Sequence, residues 1–269
     1  MDLLEGGRRQ PGGTAFYGAL QAARLGLRTL VVTRGRRLEI ESLLEPYADE
    51  LTVRVEPAPS TTTLQTTHAG DARRQRLLAW AGEIETPLDG LPARIVHLAP
   101  VARELPPARA RAAFVGLTGQ GLLRHWDSPG GEITLAAPAP PAGAIAAGCH
   151  ALVVSAREQA SAARLIAAAS AAGATVVVTA GPEPSTILLP DGARLEQAVP
   201  PVTGARDDLG AGDVFAAALF VELAAGAPPE LATAFANAAA AVRVGGQGAG
   251  AIGDRRAIEL RAASSLGDS

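Results

Sequence analysis

The 269-residue chain balances 24 basic against 27 acidic residues, a formal net charge of −3, with 48% hydrophobic residues; that excludes disorder as its overall state and leaves no basic face for nucleic acid as the main partner. Every basic residue is arginine, which removes lysine Schiff-base chemistry and a phosphate loop of the Walker type. One cysteine, Cys149, leaves no internal disulfide, and the length suits a single domain over 1–269 with a core of its own.

In chain order, Gly13 to Gly26 reads as a helix with an alanine face (Ala15, Ala19, Ala22, Ala23) closed by a glycine. Leu30 to Thr33 reads as a buried strand, Leu38 to Tyr47 as a short helix and Leu51 to Val55 as a half-exposed strand. The β-prone run Thr61–Thr67, the turn Ala69-Gly70-Asp71 and the return Arg74–Trp80 predict a hairpin over 61–81, standing off the main sheet like a lid. Short apolar strands follow at Ile95–Leu98, Ala113–Leu117, Leu152–Val154 and Thr175–Val178, with a helix from Glu158 to Ala172. A hairpin turns at Pro190-Asp191-Gly192, and helices Asp213–Ala225 and Pro229–Val244 come last. Ala136–Gly148 reads as a loop. Strand–helix–strand alternation with continuous apolar strands predicts an α/β fold around a mainly parallel sheet. The charged start, Met1–Pro11, lacks the apolar stretch of a signal peptide, and no apolar run has bilayer length. The expectation is a cytoplasmic protein with no membrane partner.

The most informative stretch is Asp207-Asp208-Leu209-Gly210-Ala211-Gly212-Asp213. Two glycines permit a tight turn and close approach to a ligand. The helix that begins there aims free amides and the positive end of its dipole at the turn, an anion hole. Asp213 at the rim could accept a proton from a hydroxyl set against a phosphate, which is what phosphoryl transfer demands. On this segment alone, a glycine turn with a dipole-favoured Asp accounts for the pattern equally well.

The segment resembles the second signature of the ribokinase-like (PfkB) carbohydrate kinase family. The resemblance implies that Asp213 is the catalytic base and that Gly210, Ala211 and Gly212 supply the anion-hole amides. It extends along nearly the whole chain. Gly12 and Gly13 resemble the first signature, where a glycine pair touches substrate, with Tyr17 in the place of a usual Asn. Ser155 and Glu158 resemble the Asn-x-x-Glu motif that organises Mg²⁺ and the nucleotide phosphates, with Ser for Asn. The spacing of those two residues also fits a helix capping box. Thr179 and Gly181 resemble the nucleotide-side turn, Asn237 the helix beside the adenine, and Gly248 the glycine-rich loop after it. Asp2 stands where a substrate-binding Asp is expected, but the strand that precedes it in the family is missing. The nine residues between Asp2 and Gly12 are too few for a full lid. Arg124 lies in a loop after a strand and could meet an anionic substrate group, with Glu104 a candidate for a sugar hydroxyl.

The implied fold is a ribokinase-like three-layer sandwich with a reduced β lid. The implied activity is transfer of phosphate from ATP, with Mg²⁺ at Glu158, to a hydroxyl of a small-molecule sugar, polyol or nucleoside. A non-catalytic ligand-binding member of the fold is the alternative. An NAD-dependent oxidoreductase rests on glycines alone, because Phe215 spoils the dinucleotide fingerprint. Scattered histidines give a zinc site no support. The hairpin's outward edge needs cover, which leaves room for a homodimer.

Overall fold

A computed structural model describes residues 1–69, 72–90, 92–106, 110–204 and 207–264. The chain opens with β1 (Asp2–Leu3) and β2 (Arg9–Gln10), then α1 (Thr14–Arg24), β3 (Thr29–Gly35), α2 (Arg37–Leu44) and β4 (Leu51–Pro57). Next come β5 (Thr63–Ala69), β6 (Ala72–Ala79), β7 (Ile95–Leu98), β8 (Phe114–Thr118), α3 (Gln120–Leu123), β9 (Arg124–His125), β10 (Thr134–Leu135) and α4 (Pro141–Ala146). The last part holds β11 (Ala151–Ser155), α5 (Ala163–Ala171), β12 (Thr175–Ala180), β13 (Glu183–Leu188), β14 (Arg194–Gln197), α6 (Ala211–Ala224), α7 (Pro229–Val244) and α8 (Arg255–Ser264).

The central sheet runs β14-β13-β12-β11-β8-β7, parallel from β12 to β7 and antiparallel at β13 and β14. β11 and β12 are apolar without alternation because both their faces are covered. Val153 and Val177 enter one core with α6, while Leu152, Val154, Val176 and Val178 enter the other with α4 and α5. α6 is apolar all round from Val214 to Val221 and is buried accordingly. At the end of α1, Gly26 adopts φ +91° and Leu27 N–H reaches Ala22 O at 3.1 Å, so the glycine caps the helix as its position suggests.

The hairpin forms as β5 and β6, although its Gly70-Asp71 tip lies outside the described residues. It does not stand alone. The short front of the chain supplies β1 and β2, giving a four-stranded lid sheet of order β2-β1-β5-β6. Leu64 and Leu77 seat it on Ala102, Val101, Trp126 and Ile133. The edge of β6, expected to need a second subunit, is covered by the same chain: Gly130 N–H bonds Leu77 O, Leu77 N–H bonds Gly131 O and Ile133 N–H bonds Gln75 O. Trp80 and Trp126 meet edge to face at 5.9 Å where this sheet joins the body, with Trp80 Nε1 donating to Ala102 O.

Three expectations change. The 136–148 stretch contains α4, which packs Ile145 and Ala146 into the core. The helix expected from Glu158 starts only at Ala163, because residues 156–162 form successive turns. α8 was not anticipated, since in a segment this polar Ile258 is the one fully buried apolar side chain. Among the described residues, no helix is long and apolar enough to cross a membrane.

Candidate active site

The site lies where α6 begins. Gly210 has φ +80°, and a Cβ there would come within 2.4 Å of the Tyr17 ring, so only glycine makes this turn. The first bond of the helix ladder is Val214 N–H to Gly210 O at 2.9 Å. The amides of Gly212 and Asp213 therefore stand ahead of the ladder, at the positive end of the helix dipole. Ala211, expected to offer its amide to an anion, directs it to Asp208 O at 3.1 Å. Asp213 is half-buried in the first turn, and the space above Gly212 is open.

The turn is held from behind by an ion pair the sequence did not reveal. Arg243 of α7 is 0% exposed. Its Nη2 donates to Asp207 Oδ2 at 2.8 Å and to Leu209 O at 2.6 Å, and its Nη1 to Asp207 O at 3.2 Å. Asp207 also accepts the Leu209 and Gly248 amides, each at 3.0 Å. Burial works to raise the Asp207 carboxyl, but the Arg243 bond and the two amides outweigh it and hold it below the usual carboxylate range. Gly248, with φ +62°, thus reaches the site by fastening its loop to the Gly210 turn.

Gly12 and Gly13 begin α1, which packs directly on α6. A Cβ on Gly12 would come within 1.9 Å of Asp2 Oδ2, and one on Gly13 within 2.7 Å of Val101. Asp2, Gly12 and Gly13 are thus brought together at the start of α1. Tyr17 is not with them: it is 2% exposed, lies beneath Gly210, and its hydroxyl is raised well above the usual range, first by burial. One helical turn beyond the glycine pair, its side chain points into the α1–α6 contact, so it supports the Gly210 turn and does not meet a ligand.

Arg124 is also buried, with acceptors in Val101 O at 2.8 Å, Gln75 Oε1 at 3.1 Å and Gln120 Oε1 at 3.0 Å. It ties the lid sheet to the body and is not poised for an anionic substrate. Glu104 likewise spends both oxygens on the Val101 and Ala102 amides. The loop that leads into Glu104 is strained: Arg103 has φ +57° and its guanidinium lies over Trp126 at 3.9 Å.

On the donor side, Ser155 and Thr179 are register partners at the carboxyl ends of β11 and β12, and Gly181 turns next to them at φ +67°. Glu158 is 5% exposed, with Oε1 accepting from Gln120 Nε2 at 3.0 Å and Oε2 from Ser155 N–H at 2.9 Å. The latter bond is half of a capping box. Glu158 has no ion-pair partner among the described residues, so its buried charge is compensated only by neutral donors. That environment fits a hard cation held through water. Among the described residues, no three acidic or histidine groups form a metal cluster. Asn237 is drawn away from any ligand: its Oδ1 meets the Ser185 hydroxyl at 2.9 Å and its Nδ2 meets Gln197 O and Ala198 O. At 3% exposure it joins α7 to β13 and β14.

His97, His150 and Cys149 are structural. Burial lowers His97 to about 4, with Nε2 2.8 Å from the Thr118 hydroxyl, and raises the Cys149 thiol to about 12. His150 Nδ1 accepts the Val115 amide.

Residues 149–254 match the model of the pfkB family carbohydrate kinases. That segment holds Ser155, Glu158, Thr179 and the whole of the α6 turn, while Asp2, Gly12 and Gly13 lie outside it. A pyrophosphate-dependent kinase in the ribokinase family superimposes with a TM-score of 0.77 at 21% identity, over 97% of this chain and 95% of that one. A Burkholderia thailandensis nucleoside kinase in complex with inosine gives 0.75 at 16%, over 97% and 87%. Arabidopsis thaliana ribokinase with ribose and ATP gives 0.69 at 19%, over 97% and 94%. No curated protein matches in sequence. The chain has the ribokinase-like α/β fold, and over residues 149–254 its sequence is similar to the pfkB carbohydrate kinases.

Proposed function

We propose that the protein is a phosphotransferase that moves a phosphoryl group from ATP to a hydroxyl of a small sugar, polyol or nucleoside. The observation that carries this reading is the left-handed Gly210 turn, which opens α6 with Asp213 in its first turn and rests on Tyr17 of the helix that starts at Gly12-Gly13. Asp2 and the glycine pair hold the acceptor at that end of the cleft. Asp213 takes the hydroxyl proton as the oxygen attacks phosphorus. The new O–P bond forms as the bond to the leaving phosphate breaks, and the Gly212 and Asp213 amides meet the charge on the moving group.

Ser155, Glu158, Thr179 and Gly181 form the donor side. Mg²⁺ held there through Glu158 would neutralise the donor phosphates. The engagement of Asn237 with Ser185 and the β14 backbone favours a second reading of the donor. A side chain so employed offers nothing to an adenine, and inorganic pyrophosphate has no base to recognise. A pyrophosphate-dependent kinase among the similar folds points the same way.

The test is a phosphotransfer screen over sugars, polyols and nucleosides with ATP and pyrophosphate in parallel. Transfer from either donor that disappears in Asp213→Asn supports the kinase reading and selects the donor. Substrate binding without transfer from either would leave the non-catalytic ligand-binding reading.

A further inference from the structure

Three parts of the molecule meet at Arg124. Its Nη2 donates to Gln75 Oε1 of the lid sheet at 3.1 Å and to Gln120 Oε1 of α3 at 3.0 Å. Its Nη1 donates to Val101 O at 2.8 Å, and Val101 is the residue that backs Gly13. From Gln120 the run continues to the donor side, where Nε2 donates to Glu158 Oε1 at 3.0 Å. From Gln75 it continues into the lid, where Nε2 donates to the Thr66 hydroxyl at 3.1 Å. Both amides have only one usable orientation. A guanidinium has no acceptor and a carboxylate no donor, so each amide turns its oxygen to Arg124, and Gln120 turns its nitrogen to Glu158. A glutamate at 120 would satisfy Arg124 and repel Glu158. The two buried charges therefore face one another across a single oriented amide, where hydrogen bonds polarise their neighbours and are costly to break. The mount of that amide is fixed: a Cβ on Gly121 would come within 2.2 Å of Pro100 O, so α3 is pressed against the main chain beside Val101.

We propose that Gln75, Arg124 and Gln120 are positioning residues that make the setting of Glu158 depend on how the lid sheet is seated, so that a divalent cation at Glu158 and an acceptor at Asp2 bind cooperatively. The proposal rests on the cation and acceptor roles given above to Glu158 and Asp2. Asp2 belongs to the same sheet as Gln75: it is the register partner of Leu64 in β5, two residues from Thr66, which is the register partner of Gln75. A ligand that fixes this sheet fixes the Gln75 oxygen, and with it the Arg124 guanidinium and the Gln120 amide. Glu158 is then held at both oxygens, Oε1 by Gln120 and Oε2 by the Ser155 amide, with its remaining lone pairs aimed in fixed directions. Partners of this kind set the affinity of a carboxylate for a cation or for water bound to one. Linkage makes the effect reciprocal: a cation at Glu158 must favour the seated lid by the same factor as the seated lid favours the cation. A brace that only held the lid in place would stabilise the sheet equally with and without the cation.

The test needs no turnover. Mn²⁺, an oxygen-seeking probe for a hard-cation site, is titrated by electron paramagnetic resonance, and exchange of the β5 and β6 amides is followed by mass spectrometry with and without it. Gln120→Met should weaken Mn²⁺ binding by about tenfold. The telling variant is Gln75→Leu, half-buried in the lid and two hydrogen bonds removed from Glu158. It should weaken Mn²⁺ binding by about fivefold, and the slowing of lid exchange by Mn²⁺, about fivefold in the wild type, should disappear. Should Gln120→Met fail to fold, Gln75→Leu carries the test alone. Wild-type Mn²⁺ affinity in Gln75→Leu overturns the proposal, and so does the same slowing of lid exchange by Mn²⁺ in both proteins, which is the behaviour of a simple brace. A Glu158→Gln arm separates the two levels of the reading. If that variant and the wild type bind Mn²⁺ alike, the cation role of Glu158 falls and the proposal with it; if only Glu158→Gln binds more weakly, the cation role stands and the coupling is refuted.

Discussion

The two ends of the central layer are built differently. From β8 through β12 the strands are contiguous, both faces are filled, and the residues proposed for the donor side follow one another along the carboxyl ends. At the front, β3 and β4 form a separate pair, and the acceptor side is assembled from Asp2, the α1 turn and a lid sheet whose strands come from two distant stretches. The family match follows the same division, since it covers 149–254 and stops short of the front. On the proposed reading, phosphate chemistry is carried by a compact, sequentially local unit, and acceptor recognition rests on parts whose positions depend on one another.

That contrast can be broken at several points. The largest effect should come from Asp213→Asn, which keeps the shape of the α6 turn and removes the proton acceptor. Turnover should fall on the order of 100-fold or more while melting and donor binding stay near wild type. Retention of wild-type turnover would move the base elsewhere. Arg243→Met should test how far the donor unit depends on its ion pair, because it strands Asp207 and three carbonyl or carboxylate contacts behind the turn. A loss of about 3 kcal/mol in urea unfolding is expected. An unchanged midpoint would show that the turn stands without its clamp.

Glu158→Gln should raise the Mg²⁺ concentration needed for half-maximal activity by about tenfold, with the acceptor KM little changed. Overlaid metal titrations would reduce Glu158 to a cap on the β11 turn. The smallest effect concerns acid. The folded-state pKa of Asp207 is depressed, so its stabilisation is fully present above the unfolded value of about 3.9 and fades as pH falls through the folded value. Asp207→Asn should be less stable at neutral pH and should show a flatter acid limb. Parallel acid limbs for the two proteins would contradict the clamp.

Much of the layer order was legible because apolar runs and glycine punctuation are local signals. β11 and β12 announce themselves by burial on both faces, and α1 by its alanine face and Gly26. The parts that stayed hidden depend on distant partners. Arg243 reads as an ordinary cation near a helix end until Asp207, 36 residues away, is placed against it. Gln75, Gln120 and Arg124 carry no pattern, yet they join the lid to Glu158 through a continuous run of hydrogen bonds. Tyr17 and Asn237 were matched to ligand contacts by position, but their side chains point into packing between elements. The two-residue strands β1 and β2 are too short for periodicity to reveal, and only the pairing of β1 with β5 and of β2 with β1 defines them.

The chain has two tryptophans, and both are at one junction. Trp80 belongs to the lid side and Trp126 to the body, and they meet edge to face beneath the Arg103 guanidinium. Intrinsic fluorescence of this protein is therefore a local reporter. Its emission should follow any shift of the lid sheet on the body, so a ligand that moves that sheet is expected to be titratable without a label. The same property makes tryptophan emission a poor measure of global unfolding here, and far-ultraviolet circular dichroism should follow that transition instead.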